Sequence, residues 1–253
     1  MDAGFSNVYE DQARADAYAK LEFPGTYWLA YRDLPEIIAK HVQGVRAVDF
    51  GCGTGRSTRF LREMGFDVVG VDIAERMLAR ARELDPEGEY VLVPDGDLSG
   101  LPAESHDLVL SVFTFDNVPT MEKRVALFRS MKRLLKSGGR IVNLVSGPEI
   151  YVNEWASFST KDFPDNRTAH SGDTVFIVML DVEDRRPVED IFWTDEDYLE
   201  VYRRAGLAPI QLYRPLAKQS EPFSWVSETE VSPWAIYVLG REEKKLPLSR
   251  AVP

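Results

Sequence analysis

Between residues 45 and 146 short β-branched runs alternate with amphipathic segments, and this rhythm sets the expected architecture. Runs at 45–50, 67–72, 89–94, 107–115 and 140–146 read as strands. The segments between them carry apolar side chains at helical spacing. Phe60, Leu61 and Met64 share a face of 57–64, Met77, Leu78, Ala81 and Leu84 share one of 74–84, and Val125, Phe128, Met131 and Leu135 share one of 120–136. Gly65 and the Ser137-Gly138-Gly139 run stop the first and last of these, because a residue without a Cβ suits a left-handed cap. The crossing at 99–105 is too short and too polar for more than a turn or a brief helix. Strand, helix, strand in succession predicts an α/β fold with a parallel sheet.

After residue 147 the rhythm breaks, and a stretch of about 45 residues rich in aromatic and acidic side chains predicts an insertion, read as a lid. Inside it, 174–181 and 188–193 read as an antiparallel hairpin across the charged turn at 183–186. Thr194 with Asp197 three positions on starts a further helix, which Gly206 stops. Strands at 209–214 and 234–239 follow, then a charged, Pro-containing tail. Ahead of the first strand, Tyr9, Tyr18, Phe23, Tyr27, Trp28 and Tyr31 read mainly as core residues of helices capping the sheet. The chain therefore divides as one domain: a cap over 1–44, a core over 45–146, the lid over 147–193, a helix with strands over 194–240, and a tail over 241–253.

Composition narrows the function classes. The 253 residues are 44% hydrophobic, enough for one well-buried core. A formal charge of −11 argues against a nucleic-acid partner, since phosphate backbones are bound by clustered Lys and Arg. The N-terminal residues are polar, and no window approaches the roughly 20 apolar residues of a membrane span. A cytoplasmic location is expected. The single cysteine, Cys52, forms no internal disulfide and reads as a small packed residue in a tight turn. His41, His106 and His170 stand apart from one another, so no metal site is expected.

The chemistry-bearing pattern begins at Val48-Asp49-Phe50-Gly51-Cys52-Gly53-Thr54-Gly55, a strand running into a turn whose glycines let backbone N–H groups approach a ligand. The next strand ends in Asp72, where a carboxylate can accept two ribose hydroxyls. Together with Val69-Gly70-Val71-Asp72, Asp97-Leu98-Ser99-Gly100-Leu101-Pro102, Asp107-Leu108-Val109-Leu110-Ser111 and the run from Lys132 to Arg140, the chain resembles the class I S-adenosylmethionine-dependent methyltransferases, in their small-molecule branch. The likeness is close over 45–146 and loose over 190–240. It implies a Rossmann-like, doubly wound, mostly parallel seven-stranded sheet with helices on both faces. It further implies that Gly51, Gly53 and Gly55 lie against the methionine part of S-adenosylmethionine, with Asp49 anchoring the turn and the amino group. By the same resemblance Asp72 takes the ribose, Ile73 and Met77 pack on the adenine, Asp97 and Leu98 hold its edge with Asp95 as the competing carboxylate, and Val112 and Phe113 close the site.

Such an enzyme moves a methyl group by in-line displacement to an O or N atom of a small organic molecule and leaves S-adenosylhomocysteine. A hydroxyl acceptor needs a general base and a free amine does not; His170 is the candidate base, with Asp116 as an alternative. Tyr9, Tyr18, Tyr27, Trp155 and Trp193, in the cap and lid, are the candidate acceptor contacts. Two other readings stay open. One is a non-catalytic module that binds the cofactor. The other is an NAD-dependent oxidoreductase, whose Gly-x-Gly-x-x-Gly fingerprint this chain misses, with Arg56 at the last position and Gly55 one place early.

Overall fold

The computed structural model describes residues 24–242, so Tyr9, Tyr18, Phe23 and the end of the tail lie outside the described residues. In chain order the elements are α1 (Gly25–Arg32), α2 (Leu34–His41), β1 (Arg46–Phe50), α3 (Arg56–Glu63), β2 (Asp67–Asp72), α4 (Glu75–Leu84), β3 (Glu89–Leu92), β4 (His106–Val112), α5 (Met121–Leu134) and β5 (Leu135–Ser146). There follow β6 (Phe158–Ser159), β7 (Thr174–Met179), β8 (Val188–Ile191), α6 (Asp195–Ala205), β9 (Leu207–Tyr213) and β10 (Trp234–Arg241). Seven strands form one sheet in the order β3-β2-β1-β4-β5-β10-β9. It is parallel from β3 to β5, and β10 runs antiparallel to both of its neighbours. This is the α/β sheet that the alternation predicts.

Successive strand residues point to opposite faces, and the sheet sorts its apolar residues accordingly. Ala47, Leu108, Leu110, Val142 and Leu144 face α1, α2 and α3. Val48, Val109, Ile141 and Val145 face α5 and α6. On that second side Phe128 of α5 is fully buried, stacked 4.2 Å from Phe115 and edge-on to Tyr202 at 4.9 Å. Loss of such a side chain to alanine costs about 3–5 kcal/mol. Thr120 caps α5 through a bond from the Lys123 N–H, and Thr194 caps α6 through one from the Asp197 N–H.

Two of the element boundaries that differ from the sequence pattern shape the site. The run 107–115 is a strand only to Val112, because Phe113 turns the chain with a left-handed φ of 59°. Thr114–Asn117 then forms a short 3₁₀ turn, tied down by the Thr114 hydroxyl donating to the Phe50 carbonyl at 3.0 Å. The helix expected over 120–136 stops at Leu134, where Leu135 joins the sheet opposite His106.

Residues after β5 build a three-stranded antiparallel sheet, β6-β7-β8, of which the hairpin was legible and β6 was not. It is fused to the body: Phe158, Val175 and Ile177 join the core cluster of Tyr27 and Trp234. A buried polar hub fixes the same junction. The Thr26 N–H donates to Ser157 Oγ at 2.9 Å, the Ser157 N–H returns a bond to Thr26 Oγ1 at 3.0 Å, and that hydroxyl donates to Glu228 at 2.6 Å.

Candidate active site

The strand order reverses between β1 and β4, and open sheets of this kind leave a crevice at the carboxyl ends of the strands there. A cleft of about 850 Å³ occupies that place, walled by Gly51, Gly53, Asp72, Ile73, Met77, Asp95, Val112 and Phe113 with Thr114, Asn117 and Lys123. Three glycines make the turn possible. Gly51, Gly53 and Gly55 all have positive φ, at 74°, 53° and 79°. A Cβ on Gly51 would sit 2.1 Å from Thr114 Oγ1, and one on Gly55 would sit 2.5 Å from the Tyr90 hydroxyl. Backbone freedom and close approach are thus both required.

Asp72 ends β2 on the cleft wall. Its Oδ2 accepts from the Gly53 N–H and its Oδ1 from the Ala74 N–H, both at 2.8 Å. These bonds lower its pKa less than burial raises it, so the carboxyl stands above its usual range. Asp49 lies behind the turn and is fully buried. The hydroxyls of Ser57 and Thr58 donate to its Oδ2 at 2.7 and 2.6 Å, which ties the turn to the start of α3. Its Oδ1 is buried without a partner.

Ile73, Met77, Val112 and Phe113 line the cleft wall. Asp97 and Leu98 do not. The Asp97 carboxylate is exposed and engaged by the Ser99 N–H and hydroxyl, each at 2.8 Å, while Leu98 is buried in the core beneath. Asp95 reaches the wall in their stead, held there by a left-handed φ of 55°.

A second, smaller pocket of about 50 Å³ adjoins the cleft and shares Phe113 and Asn117 with it. Tyr27, Phe158, Trp234, Ile177 and Met179 supply its apolar walls, and Asp116, Ser146 and Asp190 its polar ones. Of the expected acceptor contacts among the described residues, Tyr27 lines it and Trp155 and Trp193 do not. Trp155 is a core residue whose indole N–H is spent on the Ile150 carbonyl at 2.8 Å, and Trp193 is buried on the α5 side of the sheet. His170 is also corrected: its side chain is 90% exposed beside Asp173, away from both cavities.

Residues 48–143 match a family described as the methyltransferase domain. The chain carries a methyltransferase domain. The methyltransferase is 28% identical to the N-demethylindolmycin N-methyltransferase of Streptomyces griseus over 204 residues, covering 79% of this chain and 85% of that protein. It is 31% identical to the ubiquinone biosynthesis O-methyltransferase of Bordetella avium over 148 residues, which span 53% of this chain and 60% of the relative. In structure it is similar to an S-adenosylmethionine-dependent methyltransferase from Mesorhizobium loti, at a TM-score of 0.58 and 24% identity over 83% of this chain and 97% of that one. The class I resemblance is borne out, as is the seven-stranded fold that it implied.

Sequence reasoning passed over Thr114, Asn117, Ser146 and Asp190 of the methyltransferase. For Asp190 a signal existed. In β8 the period of two puts it on the same side as Val188 and Phe192, so a carboxylate occupies an inward position where an apolar residue is expected. The glycine N–H groups of the turn are spent within the protein, on the Val71 and Cys52 carbonyls and on Asp72, so what fits a nucleoside bearing an amino acid chain is the close backbone approach the turn allows and the spare lone pairs on Asp72. Among the described residues no helix is long and apolar enough to cross a membrane.

Proposed function

We propose that the methyltransferase binds S-adenosylmethionine in the large cleft and passes its methyl group to an N or O atom of a small organic acceptor in the adjoining pocket. The observation that carries this reading is the shared wall. Phe113 and Asn117 border both cavities, so a ligand lying along the cleft from Asp95 past the glycine turn ends beside the second pocket. In this reading Gly51 and Gly53 bring backbone against the methionine part. Asp72 offers the ribose hydroxyls the lone pair on each oxygen that Gly53 and Ala74 leave over. Ile73 and Met77 flank the adenine, and Asp95 accepts from its amine. Asp49 holds the turn in shape from behind.

The sulfonium supplies a methyl group on a leaving sulfur that departs neutral, so no acid is required at that end. The task of the chain is alignment and exclusion of water, and orientation of this kind is worth on the order of 7–11 kcal/mol of barrier. A nitrogen or oxygen acceptor is supported by the two relatives, named as an N- and an O-methyltransferase. A small one is supported by the pocket of about 50 Å³.

Titration calorimetry with S-adenosylhomocysteine and with NAD tests the cofactor, and a screen for transfer of a labelled methyl group across small amines, phenols and carboxylic acids tests the reaction. Binding of the first ligand and not the second, with transfer to at least one acceptor, is the expected result. A chain that ignores S-adenosylhomocysteine, or binds NAD in its place, refutes the reading.

A further inference from the structure

We infer that the acceptor is a small basic amine with an apolar body, bound as its ammonium ion with the charged head against Asp116 and Asp190. This rests on the methyl-transfer reading above and narrows it to nitrogen. The two carboxylates come from distant parts of the chain, Asp116 from the turn after β4 and Asp190 from β8, yet both line the small pocket while being only 5% and 9% exposed. Asp116 is held by Ser146, whose N–H lies 3.2 and 3.3 Å from its two oxygens and whose hydroxyl donates at 2.8 Å. Asp190 accepts from the Tyr151 hydroxyl on Oδ2 at 3.1 Å, and among the described residues no hydrogen-bond donor reaches its Oδ1.

The charges do not balance. Arg124 faces Asp116 from α5, fully buried, with its guanidinium 4.3 Å from the Trp193 ring centroid and 5.1 Å from that of Tyr198. Its Nε donates to the Val118 carbonyl at 2.8 Å. One guanidinium faces two buried carboxyls, so only one of them is matched as an anion and the other holds a proton until a cation arrives. Burial holds both carboxyls above the ordinary carboxylate range, and the charge of Asp116 pushes Asp190 further. Tyr151 and Tyr198 add hydroxyls to the same cluster and no positive charge. A desolvated anion of this kind is costly unless a cation or donor meets it.

The other walls suit the same guest. Tyr27 packs 4.9 Å from Phe158, and Phe113 packs 4.8 Å from Trp234. Aromatic faces attract an alkylammonium by about 0.5–2 kcal/mol each when water is excluded. A hydroxyl acceptor would satisfy one oxygen and bring no cation to hold the second carboxyl ionised. The pocket of about 50 Å³ has room for an ammonium head.

The acids then serve the chemistry. The bound ammonium gives one proton to Asp190, which becomes a neutral acid, and the nitrogen gains a lone pair. That pair forms the new N–C bond while the methyl–sulfur bond breaks and its electrons stay on sulfur. The product leaves as the N-methylammonium ion, and the Asp190 proton returns to water.

Titration calorimetry on the full chain, saturated with S-adenosylhomocysteine, compares two ammonium ions with their neutral isosteres: benzylammonium with benzyl alcohol, and phenethylammonium with 2-phenylethanol. At neutral pH the ammonium ions are expected to bind about tenfold or more tightly than the alcohols, a difference of about 1.4 kcal/mol. In Asp190→Asn the preference is expected to vanish while S-adenosylhomocysteine affinity stays at the wild-type value, which also reports that the variant is folded. Equal binding by wild type, no binding of either ammonium ion, or a preference that survives in both Asp190→Asn and Asp116→Asn overturns the inference. Failure of wild type to bind S-adenosylhomocysteine overturns the methyl-transfer reading instead, so the two failures are distinguishable.

Discussion

Replacing Asp49 by asparagine should make the protein more stable at high pH and not at low pH. Asp49 is 0% exposed, takes two hydroxyl bonds on one oxygen and none on the other, and burial pushes its carboxyl up to about 6 from 3.8 against the pull of Thr58 and Ser57, with the Asp72 charge adding to the rise. Because the folded value is the higher one, the folded chain keeps a proton between pH 3.8 and about 6 that the unfolded chain has already lost. Stability therefore falls as pH rises through that window. Below it both states are protonated and there is no cost; above it the cost is complete. At about 1.36 kcal/mol for each tenfold, the full cost is on the order of 3 kcal/mol. Asparagine keeps the shape and one acceptor for the hydroxyls and does not titrate. Urea unfolding of both chains from pH 4 to pH 8 reads the difference directly. Other buried acids, Asp72 among them, titrate in both chains and largely cancel. Asp49→Asn should gain about 3 kcal/mol on wild type across the range. A difference that does not change with pH refutes the account of Asp49 as an anion held at a cost.

Gly51→Ala forces a left-handed residue to carry a Cβ, at about 1–2 kcal/mol, and drives it to 2.1 Å from Thr114 Oγ1. With overpacking at about 1–3 kcal/mol, unfolding measurements should find a loss of about 2–5 kcal/mol, whereas Gly65→Ala should lose the backbone cost alone because its Cβ meets open space. Equal losses at the two positions would remove the packing argument for the turn. Asp95→Asn should weaken S-adenosylhomocysteine by about 10- to 100-fold, as befits a bond to a charged group, while Asp97→Asn should leave calorimetric affinity at the wild-type value. The opposite ranking would return the adenine edge to Asp97.

The helices and strands of the core were legible because their signals are local. Leu78 and Ala81 lie one helical turn apart, and Ala47 and Val48 lie on opposite sides of a strand, whatever else the chain does. The glycine turn was legible for the same reason, since Gly51, Gly53 and Gly55 must adopt their conformations wherever that turn forms. Asp95 was harder. Its neighbour in sequence, Asp97, has the motif spacing, and only the φ of 55° at Asp95 and the Ser99 bonds at Asp97 decide which carboxylate meets the cleft.

The acceptor pocket was not legible as a whole. His170 and Trp155 were reasonable candidates by composition, yet one points into solvent and the other into the core, because side-chain direction in an insertion depends on what it packs against. Asp116 and Asp190 are 74 positions apart, and no pattern along the chain pairs them. The strands, the glycine turn and the Asp72 position follow from short-range geometry and can be read along the chain. The tertiary structure alone decided which acids and rings share a pocket, since β8 meets the turn after β4 only when the inserted sheet folds back on the body.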